Sequence, residues 1–475
     1  MNTSFYWHDY ETWGAEPAKD KPVQFAGLRT DWNLQPIGEP LVIYARPSND
    51  ILPQPQACLI TGITPQFATT HGMPESQFIT RINTELSVFG TCGAGYNSLR
   101  FDDEITRYTL FRNFLDPYAR EWQNNNSRWD LIDVMRLAHA LRPDGIIWPQ
   151  PDGVTSFRLE DLTKANNISH AAAHDALSDV RATIELARLL RTKQPRLFDF
   201  ALDLRDKHKV KDLLNPEAPQ PILHVSSKYP AQIGCIAPVL AVATHPTNRN
   251  SIIVFDLRAD PSLLLDLSVE VIKQRLFTKH HELPNGVERI PLKEVHINRV
   301  PMVAPMNTLT PQAMERWMIN TSQVQIHAKR LQTAAGLTKK LHQVYVAPQY
   351  NTHRDPEQDL YGAFISKDDR YLCDLVHKTP PQELHHLAAR FRDARLAPLL
   401  FRYQARNFPE TLNPQDKQQW DNYRQRFLTD PNSGSSITLA EYQNEIARLR
   451  IEHAQAPHLI KILDELVSWG NFLVS

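Results

Sequence analysis

The segment Phe5-Tyr6-Trp7-His8-Asp9-Tyr10-Glu11 combines an aromatic, strand-like pattern with two carboxylates placed two residues apart. Side chains at positions i and i+2 of a β-strand point to the same face, so Asp9 and Glu11 are predicted to lie side by side. Carboxylates held this close are stable only when they are protonated or when a cation neutralises them. An exposed acidic strand end is the simpler interpretation. If a cation binds, oxygen ligands alone favour Mg²⁺ or Mn²⁺ over zinc.

Residues 1–195 alternate strand-like runs with segments of helical periodicity, which predicts an α/β domain. The strand candidates are Phe5–Glu11, Val23–Thr30 and Pro40–Ala45, and the helix candidates are Asp102–Phe114, Asp130–Leu141 and Ala176–Leu190. In the last of these helices, apolar residues recur every three or four positions. This periodicity predicts an apolar face that packs on the sheet.

The remainder of the chain divides into two further predicted domains. The stretch from Leu223 to Pro301 is richer in β-branched residues, prolines and turns, so residues 196–348 are predicted to form a smaller, β-containing domain. Residues 349–475 return to helical patterns and predict a mostly α-helical domain. The strand candidates of the second domain are Ser251–Leu257 and Leu292–Asn298, and the helix candidates of the third are Pro381–Arg392, Pro414–Leu428, Thr438–Ala454 and Pro457–Leu473.

The composition excludes several classes of protein. With 52 Lys and Arg against 53 Asp and Glu, the net charge of -1 gives no overall attraction to a polyanion, so nucleic acid would be held by local basic patches. The 4 cysteines lack CxxC spacing, which argues against a zinc ribbon and a disulfide framework. We expect no signal peptide, because the N-terminal residues lack a basic and an apolar region, and no apolar run approaches about 20 residues. We therefore expect a soluble, cytoplasmic protein with no membrane association.

Two further acidic elements follow the first one along the chain. Asp102 lies where a strand-like segment turns into a helix, and it is either a helix N-cap or a metal ligand, with Asp103 as the neighbouring alternative. His174 and Asp179 follow with the spacing H-x-x-x-x-D. When such an element occurs alone, its residues usually have a structural role and not a catalytic one. Their occurrence in this order makes a much stronger combined signal.

Together, Asp9, Glu11, Asp102, His174 and Asp179 resemble the complete DEDDh signature of 3′→5′ exonucleases with a ribonuclease H-like fold. The more specific resemblance is to bacterial exodeoxyribonuclease I, and it is dense over residues 1–200 and patchy afterwards. The motifs that carry it include His8-Asp9-Tyr10-Glu11-Thr12, Leu59-Ile60-Thr61-Gly62-Ile63-Thr64-Pro65-Gln66, Arg100-Phe101-Asp102-Asp103-Glu104, Ser156-Phe157-Arg158-Leu159-Glu160, Val295-His296-Ile297-Asn298 and Arg402-Tyr403-Gln404-Ala405-Arg406-Asn407-Phe408-Pro409.

The resemblance implies a fold and a mechanism. It implies a ribonuclease H-like exonuclease domain, followed by an SH3-like domain and a helical C-terminal domain. Asp9, Glu11, Asp102 and Asp179 are the implied ligands of two Mg²⁺ ions, about 3.5–4 Å apart, with Mn²⁺ as a substitute. His174 is the implied general base, because imidazole titrates near neutral pH.

The resemblance also implies a substrate path for single-stranded DNA, which needs cations for phosphates and apolar or aromatic faces for bases. Arg158 is the preferred clamp for a phosphate near the cut, and Ile60 is similar to the apolar residue that stacks on the terminal base. The other implied contacts are Glu11, Arg107, Tyr118, Trp122, Arg136 and Lys207. A surface ion pair is the alternative for each arginine, and a buried loop position is the alternative for Ile60.

The implied function is processive 3′→5′ degradation of single-stranded DNA to 5′-mononucleotides, in DNA repair and recombination. The implied partner is the C-terminal tail of single-stranded DNA-binding protein, with Arg142 as a contributor, and a monomer acting on nucleoid-associated DNA is expected. An exoribonuclease and a polymerase proofreading exonuclease are the enzymatic alternatives. A non-catalytic single-strand-binding protein is the other alternative, and it is disfavoured because all five signature positions carry the required residue types.

Overall fold

The computed structural model describes residues 3–170, 175–346 and 354–474. The chain forms two compact units. The first unit contains residues 1–127, 170–184 and 352–475, and the second unit contains residues 128–169 and 185–351. The limits of these units are not the predicted domain boundaries. The boundaries after residues 195 and 348 stay predictions.

The described residues contain the following strands and helices. The strands are β1 Ser4–Thr12, β2 Pro22–Thr30, β3 Leu41–Tyr44, β4 Thr91–Gly95, β5 Ser127–Asp130, β6 Ile222–Val225, β7 Ile236–Thr244, β8 Ser251–Asp256, β9 Leu292–His296 and β10 Met302–Pro305. The α-helices are α1 Pro55–Thr61, α2 Pro65–His71, α3 Glu75–Leu86, α4 Asp102–Arg112, α5 Leu131–Leu141, α6 Leu159–Ala165, α7 Ala176–Lys193, α8 Pro195–Asp203, α9 Lys207–Leu213, α10 Ser262–Asp266, α11 Val269–Phe277, α12 Pro311–Arg316, α13 Thr321–Gln332, α14 Leu337–Val344, α15 Lys367–Val376, α16 His385–Ala388, α17 Leu396–Asn407, α18 Pro414–Thr429, α19 Leu439–Glu452 and α20 Pro457–Val474.

The first sheet has five strands in the order β3-β2-β1-β4-β5. Strand β1 is central, because it pairs antiparallel with β2 and parallel with β4. Its alternating side chains divide between two faces. Tyr6 and Tyr10 join a buried cluster with residues of α3 and α4, such as Phe78 and Ile105. The opposite face of β1 is therefore the one that carries the carboxylates.

The second sheet lies in the second unit and has five strands in the order β10-β6-β7-β8-β9. All of its described pairings are antiparallel. Every residue of β6 and β8 is buried, so these strands form the interior of a β-rich core. The predicted fold class is confirmed: an α/β domain with the first sheet is followed by a smaller β-containing domain and a mostly helical C-terminal region.

One predicted helix is wrong. The segment Pro381–Arg392 is not a single helix, because it consists of a 3-10 turn at Pro381–Glu383 followed by the four-residue helix α16. The carboxylate of Asp369 accepts hydrogen bonds from the backbone N–H groups of Arg392 and Asp393 at 2.9 Å and 3.3 Å. These N–H groups are therefore held outside a helix by a residue of α15.

Two other expectations concern cysteines and membrane spans. The four cysteines, Cys58, Cys92, Cys235 and Cys373, are free and buried. Within the three described ranges, no helix combines the length and the apolar composition that crossing a membrane requires.

Candidate metal centre and active site

Three carboxylates meet in the first unit. Asp9 and Glu11 come from β1, and Asp179 comes from the first turn of α7. Each offers one oxygen atom, and these three atoms lie within 4.8 Å of one another. The strand alternation that the sequence predicted brings the first two together, and α7 adds the third. The three side chains form the only group of this kind found among the described residues.

Asp102 lies beside this group and is fixed by β1. It is the first residue of α4, and its Oδ1 accepts a hydrogen bond from the backbone N–H of Tyr10 at 3.0 Å. Tyr10 lies between Asp9 and Glu11 in the strand, so this bond ties the start of α4 to the acidic end of β1. Asp102 is the charged neighbour with the largest effect on the pKa of Asp9.

The crowding of these carboxylates changes their proton affinity. Burial raises the pKa of Asp9 well above its usual range, and the charges of Asp102, Glu11 and Asp179 raise it further. Burial and then the charges of Asp179 and Asp102 raise the pKa of Glu11 to about 8. Bare carboxylates here repel one another. A divalent cation with a preference for oxygen ligands would relieve this repulsion, so the donor set fits Mg²⁺ or Mn²⁺.

The alternative ligand Asp103 has different surroundings. Its Oδ1 lies 2.6 Å from Nη2 of Arg120, and both side chains are almost completely buried. Asp103 is thus held in an ion pair with Arg120, whereas Asp102 accepts the hydrogen bond from the Tyr10 N–H. Asp102 stays the predicted fourth carboxylate of the site.

The predicted general base, His174, lies outside the described residues. A second histidine, His170, is described, and its Nε2 lies 2.5 Å from Oδ1 of Asp179. Sequence reasoning missed His170 because the search followed the H-x-x-x-x-D spacing of the signature. The available signal was a second histidine four positions upstream of His174, which is weak when taken alone.

The predicted substrate residues of the first unit differ in exposure. Ile60 on α1 is 49% exposed and Trp122 is 66% exposed, so both can meet a ligand. Ile60 is therefore not the buried loop residue of the alternative interpretation. The ring of Tyr118 lies 5.5 Å from the guanidinium of Arg107.

Arg107 is buried and bonded to carboxylates. It donates to both carboxylate oxygens of Glu121, at 2.7 Å and 2.9 Å, and to Oε1 of Glu104 at 2.6 Å. It also donates to the hydroxyl of Tyr361 at 3.1 Å. The structure thus favours the ion-pair interpretation for Arg107, and a phosphate contact would require these partners to be exchanged.

The remaining predicted substrate residues lie in the second unit. Arg158 is exposed at the N-cap of α6, and Lys207 is exposed as the first residue of α9. Arg136 forms an ion pair with Asp133 at 2.7 Å. Arg142 donates to the carbonyl of Thr308 at 2.9 Å. Of these side chains, Arg158 and Lys207 are the ones that the structure presents to solvent.

Comparison with known families identifies the class. An exonuclease family model matches residues 6–187, which contain all five signature residues. The models of the exonuclease I SH3-like domain and the exonuclease I C-terminal domain match residues 205–347 and 354–473. The N-terminal region is therefore an exonuclease domain, and the regions after it are those found in exonuclease I.

Full-length relatives narrow the class to one family. The chain is 43% identical to exodeoxyribonuclease I of Escherichia coli K12, over 100% of this chain and 99% of the relative. It is 39% identical to exodeoxyribonuclease I of Haemophilus influenzae, over 98% of each. Exonuclease I from Methylocaldum szegediense has a solved structure with 48% identity and a TM-score of 0.95, covering 100% of both chains. Escherichia coli exonuclease I in complex with a dA16 oligonucleotide has 42% identity and a TM-score of 0.94, covering 99% of this chain and 100% of that one. The chain belongs to the exodeoxyribonuclease I family.

Proposed function

We propose that the protein degrades single-stranded DNA processively from the 3′ end and releases 5′-mononucleotides. The observation that carries this proposal is the convergence of Asp9, Glu11 and Asp179, with Asp102 beside them, in a chain of the exodeoxyribonuclease I family. Four carboxylates in one place serve phosphodiester hydrolysis well, because they can hold cations where negative charge develops.

The four carboxylates are the proposed ligands of two divalent cations, with Mg²⁺ preferred and Mn²⁺ as a substitute. Bound cations of this kind favour formation of the attacking hydroxide and stabilise the charge on the leaving oxygen. The hydrogen bond from the Tyr10 N–H fixes the direction of the Asp102 carboxylate. His174 is the proposed general base that takes the proton of the attacking water.

Further residues are proposed to bind the strand. Arg158 binds a phosphate near the cut, Ile60 packs on the terminal base, and Trp122 offers a face for another base. Exposure of these three side chains supports these roles. The other proposed contacts are Glu11, Tyr118, Lys207, Arg107 and Arg136. The two arginines would first exchange their carboxylate partners for a phosphate of the strand.

We also propose that the C-terminal tail of single-stranded DNA-binding protein binds the second unit. A cavity of about 370 Å³ there is lined by apolar residues, among them Leu137, Leu141 and Phe200, and by Arg142 and Arg196. An acidic peptide with an apolar end could place that end in this cavity and pair its carboxylates with the two arginines. Weaker binding of an acidic tail peptide to Arg142→Ala than to wild type, measured by fluorescence anisotropy, is the expected result.

Other properties rest on family membership. The protein is proposed to act as a monomer in the cytoplasm, on chromosomal DNA during repair and recombination. The exonuclease I SH3-like and C-terminal regions, over residues 205–347 and 354–473, argue against a minimal proofreading subunit. An exoribonuclease would use the same carboxylates, so the choice of nucleic acid needs a direct assay.

Digestion of three labelled oligonucleotides with Mg²⁺ tests the proposal. The substrates are single-stranded DNA with a free 3′ end, the same strand blocked at its 3′ end, and the matching RNA. Only the free-ended DNA should be shortened to mononucleotides from its 3′ side. Equal degradation of RNA would contradict the substrate class, and the absence of any cleavage would favour a non-catalytic binding protein.

The variant Asp179→Ala tests the role of the carboxylates. It should abolish hydrolysis, because it removes one ligand of the proposed cation site. Its DNA affinity, measured in EDTA, should be largely unchanged. The matched control is Glu185→Gln, which removes an exposed carboxylate from the same helix. Retained cleavage in Asp179→Ala would overturn the ligand assignment.

A further inference from the structure

His139 is a buried histidine on α5, inside a box of aromatic rings in the second unit. Its ring centroid lies 4.9 Å from Trp148, 5.4 Å from Phe157 and 5.2 Å from Trp317. His139 is 1% exposed. A polar ring in such surroundings is stable only when its nitrogen atoms are satisfied or when it stays neutral.

The hydrogen bonds of His139 determine its tautomer. Nη2 of Arg316 lies 3.0 Å from Nε2 of His139, and Oγ1 of Thr155 lies 3.2 Å from the same nitrogen. Because an arginine can only donate, Nε2 is the acceptor and the ring proton is on Nδ1, which is buried without a hydrogen-bond partner among the described residues. The Thr155 hydroxyl therefore donates to Nε2. In agreement, burial and then the charge of Arg316 lower the pKa of His139 to about 4.

The residues that His139 contacts belong to the loop before α6. Thr155 is bonded to His139, and Phe157 packs against its ring. Further bonds hold the loop, since Ser156 N donates to the carbonyl of Pro149 at 2.9 Å, and Ser156 Oγ donates to Asp161 at 2.5 Å. Buried and more exposed positions alternate along residues 155–158.

Arg158 follows Phe157 directly and points out of this loop. It is exposed, and its backbone, at φ −69° and ψ 142°, forms the N-cap of α6. Because Arg158 is bonded directly to Phe157 along the chain, the position of its backbone follows the positions of Thr155 and Phe157. His139 contacts both residues, Thr155 through a hydrogen bond and Phe157 through a ring contact.

The far side of the box comes from the SH3-like region, residues 205–347. Arg316 ends α12, and its guanidinium lies 4.4 Å from the ring of Trp317. Nε1 of Trp317 donates to the carbonyl of Ala140 at 2.9 Å, next to His139. The SH3-like region thus supplies Arg316, the donor that sets the tautomer of His139, and Trp317, one of the aromatic rings around it.

We propose that His139 is a positioning residue for Arg158, and that Arg316 of the SH3-like region sets the hydrogen-bonding state in which it works. This inference rests on the proposed function, in which Arg158 binds a phosphate of the strand. Arg158 would touch the substrate, while His139 acts through Thr155 and Phe157. Substrate handling in the exonuclease domain then depends on an SH3-like side chain far away in sequence.

The test uses Thr155→Val, which removes one hydroxyl while nearly preserving the shape of the side chain. We expect kcat/KM on single-stranded DNA to fall about five-fold, since that factor corresponds to about 1 kcal/mol, the contribution of a hydrogen bond of this kind. Thr155→Ser keeps the hydroxyl and should restore the activity. Arg316→Met, which removes the donor to His139, should lower kcat/KM in the same way.

A double-variant cycle separates positioning from a general loss of folded protein. In an Arg158→Ala background, Thr155→Val and Arg316→Met should cause no further loss, because the group that they position is gone. An equal loss in both backgrounds would overturn the inference. Wild-type activity of Arg316→Met would overturn the role of the SH3-like region.

The same cycle distinguishes this inference from the proposed function. If Arg158→Ala has wild-type kcat/KM, Arg158 is not a clamp and the positioning role of His139 is overturned. Degradation of the free-ended DNA by the wild-type protein would still stand in that case. If the wild-type protein cleaves no DNA, the proposed function itself fails.

Discussion

Protonation of Glu11 is expected to make the metal affinity of the site depend on pH. Its pKa is raised to about 8 by burial and then by the charges of Asp179 and Asp102, so below pH 8 the metal-free protein holds a proton there. A cation must displace this proton. Mg²⁺ affinity is therefore expected to rise up to about ten-fold per pH unit below pH 8 and to level off above it.

Isothermal titration calorimetry of Mg²⁺ into metal-free protein measures this effect. At pH 7, the heat should depend on the ionisation enthalpy of the buffer, because binding releases protons. The variant Glu11→Gln removes the titrating group and should show a weaker pH dependence. A Mg²⁺ affinity that is constant between pH 6.5 and 8.5 would contradict the prediction.

His170 is expected to orient Asp179. Its Nε2 lies 2.5 Å from Oδ1 of Asp179, and a hydrogen bond to a ligating carboxylate fixes the direction of its oxygens. His170→Phe should weaken Mg²⁺ binding about ten-fold, whereas His170→Gln, which keeps a donor, should bind more nearly as wild type. Calorimetric titration with Mg²⁺ compares the three proteins, and equal affinity in all of them would exclude this role.

Local pattern was sufficient to predict several elements and the pairing of the first two carboxylates. The alternation in β1 and the periodicity of α7, α18 and α20 gave bounds close to those of the structure. The adjacency of Asp9 and Glu11 follows from strand geometry alone. These features depend on neighbours within a few residues, so the sequence contains them directly.

Features that depend on distant residues could not be predicted in this way. The segment Pro381–Arg392 is broken because Asp369, 23 residues before Arg392, binds its backbone. Arg107 stays a proposed DNA contact, but its pairing with Glu121, 14 residues further along the chain, could not be predicted from the sequence either. Both features depend on polar groups that meet only in the folded chain.

Within the first unit, helix α17 is held in place by buried charges. Arg406 contacts Asp50 and Glu357, both at 2.6 Å, and Glu357 also contacts Lys21, which precedes β2, at 3.0 Å. Arg406→Met would leave Asp50 and Glu357 buried with too few cations. Because an uncompensated buried charge is costly, the free energy of unfolding should fall by about 3–5 kcal/mol.

Urea unfolding of the variant measures this loss. The matched control is Arg448→Met on α19, where Arg448 forms ion pairs with Glu445 and Glu452 at the surface. Exposed ion pairs are screened by water and contribute little, so the control should be close to wild type. Equal effects of the two substitutions would show that burial of the α17 network adds nothing to stability.

Buried neutral histidines make the stability of the whole protein sensitive to acid. Burial is the largest cause that lowers the pKa of His8 to about 4, of His139 to about 4 and of His224 to about 3. The same groups in the unfolded chain titrate near 6.5, so the unfolded state binds more protons as the pH falls below that value. Each histidine therefore lowers the free energy of unfolding between about pH 6.5 and its folded pKa. Glu11 acts in the opposite direction: its pKa is raised from 4.5 to about 8, so the folded state binds more protons between these values and stability falls as the pH rises through this window.

A single substitution isolates one of these contributions. His224 lies on β6, and its Nδ1 is 3.0 Å from the hydroxyl of Tyr229. His224→Gln should be less stable than wild type at pH 7.5, and the difference should shrink by about 2 kcal/mol by pH 5, because only wild type loses stability through this histidine. Urea unfolding at both pH values gives the difference, with the exposed His385→Gln as the control. If the gap between wild type and His224→Gln is the same at pH 5 and pH 7.5, His224 does not contribute to acid sensitivity. The fall in stability must then come from other groups.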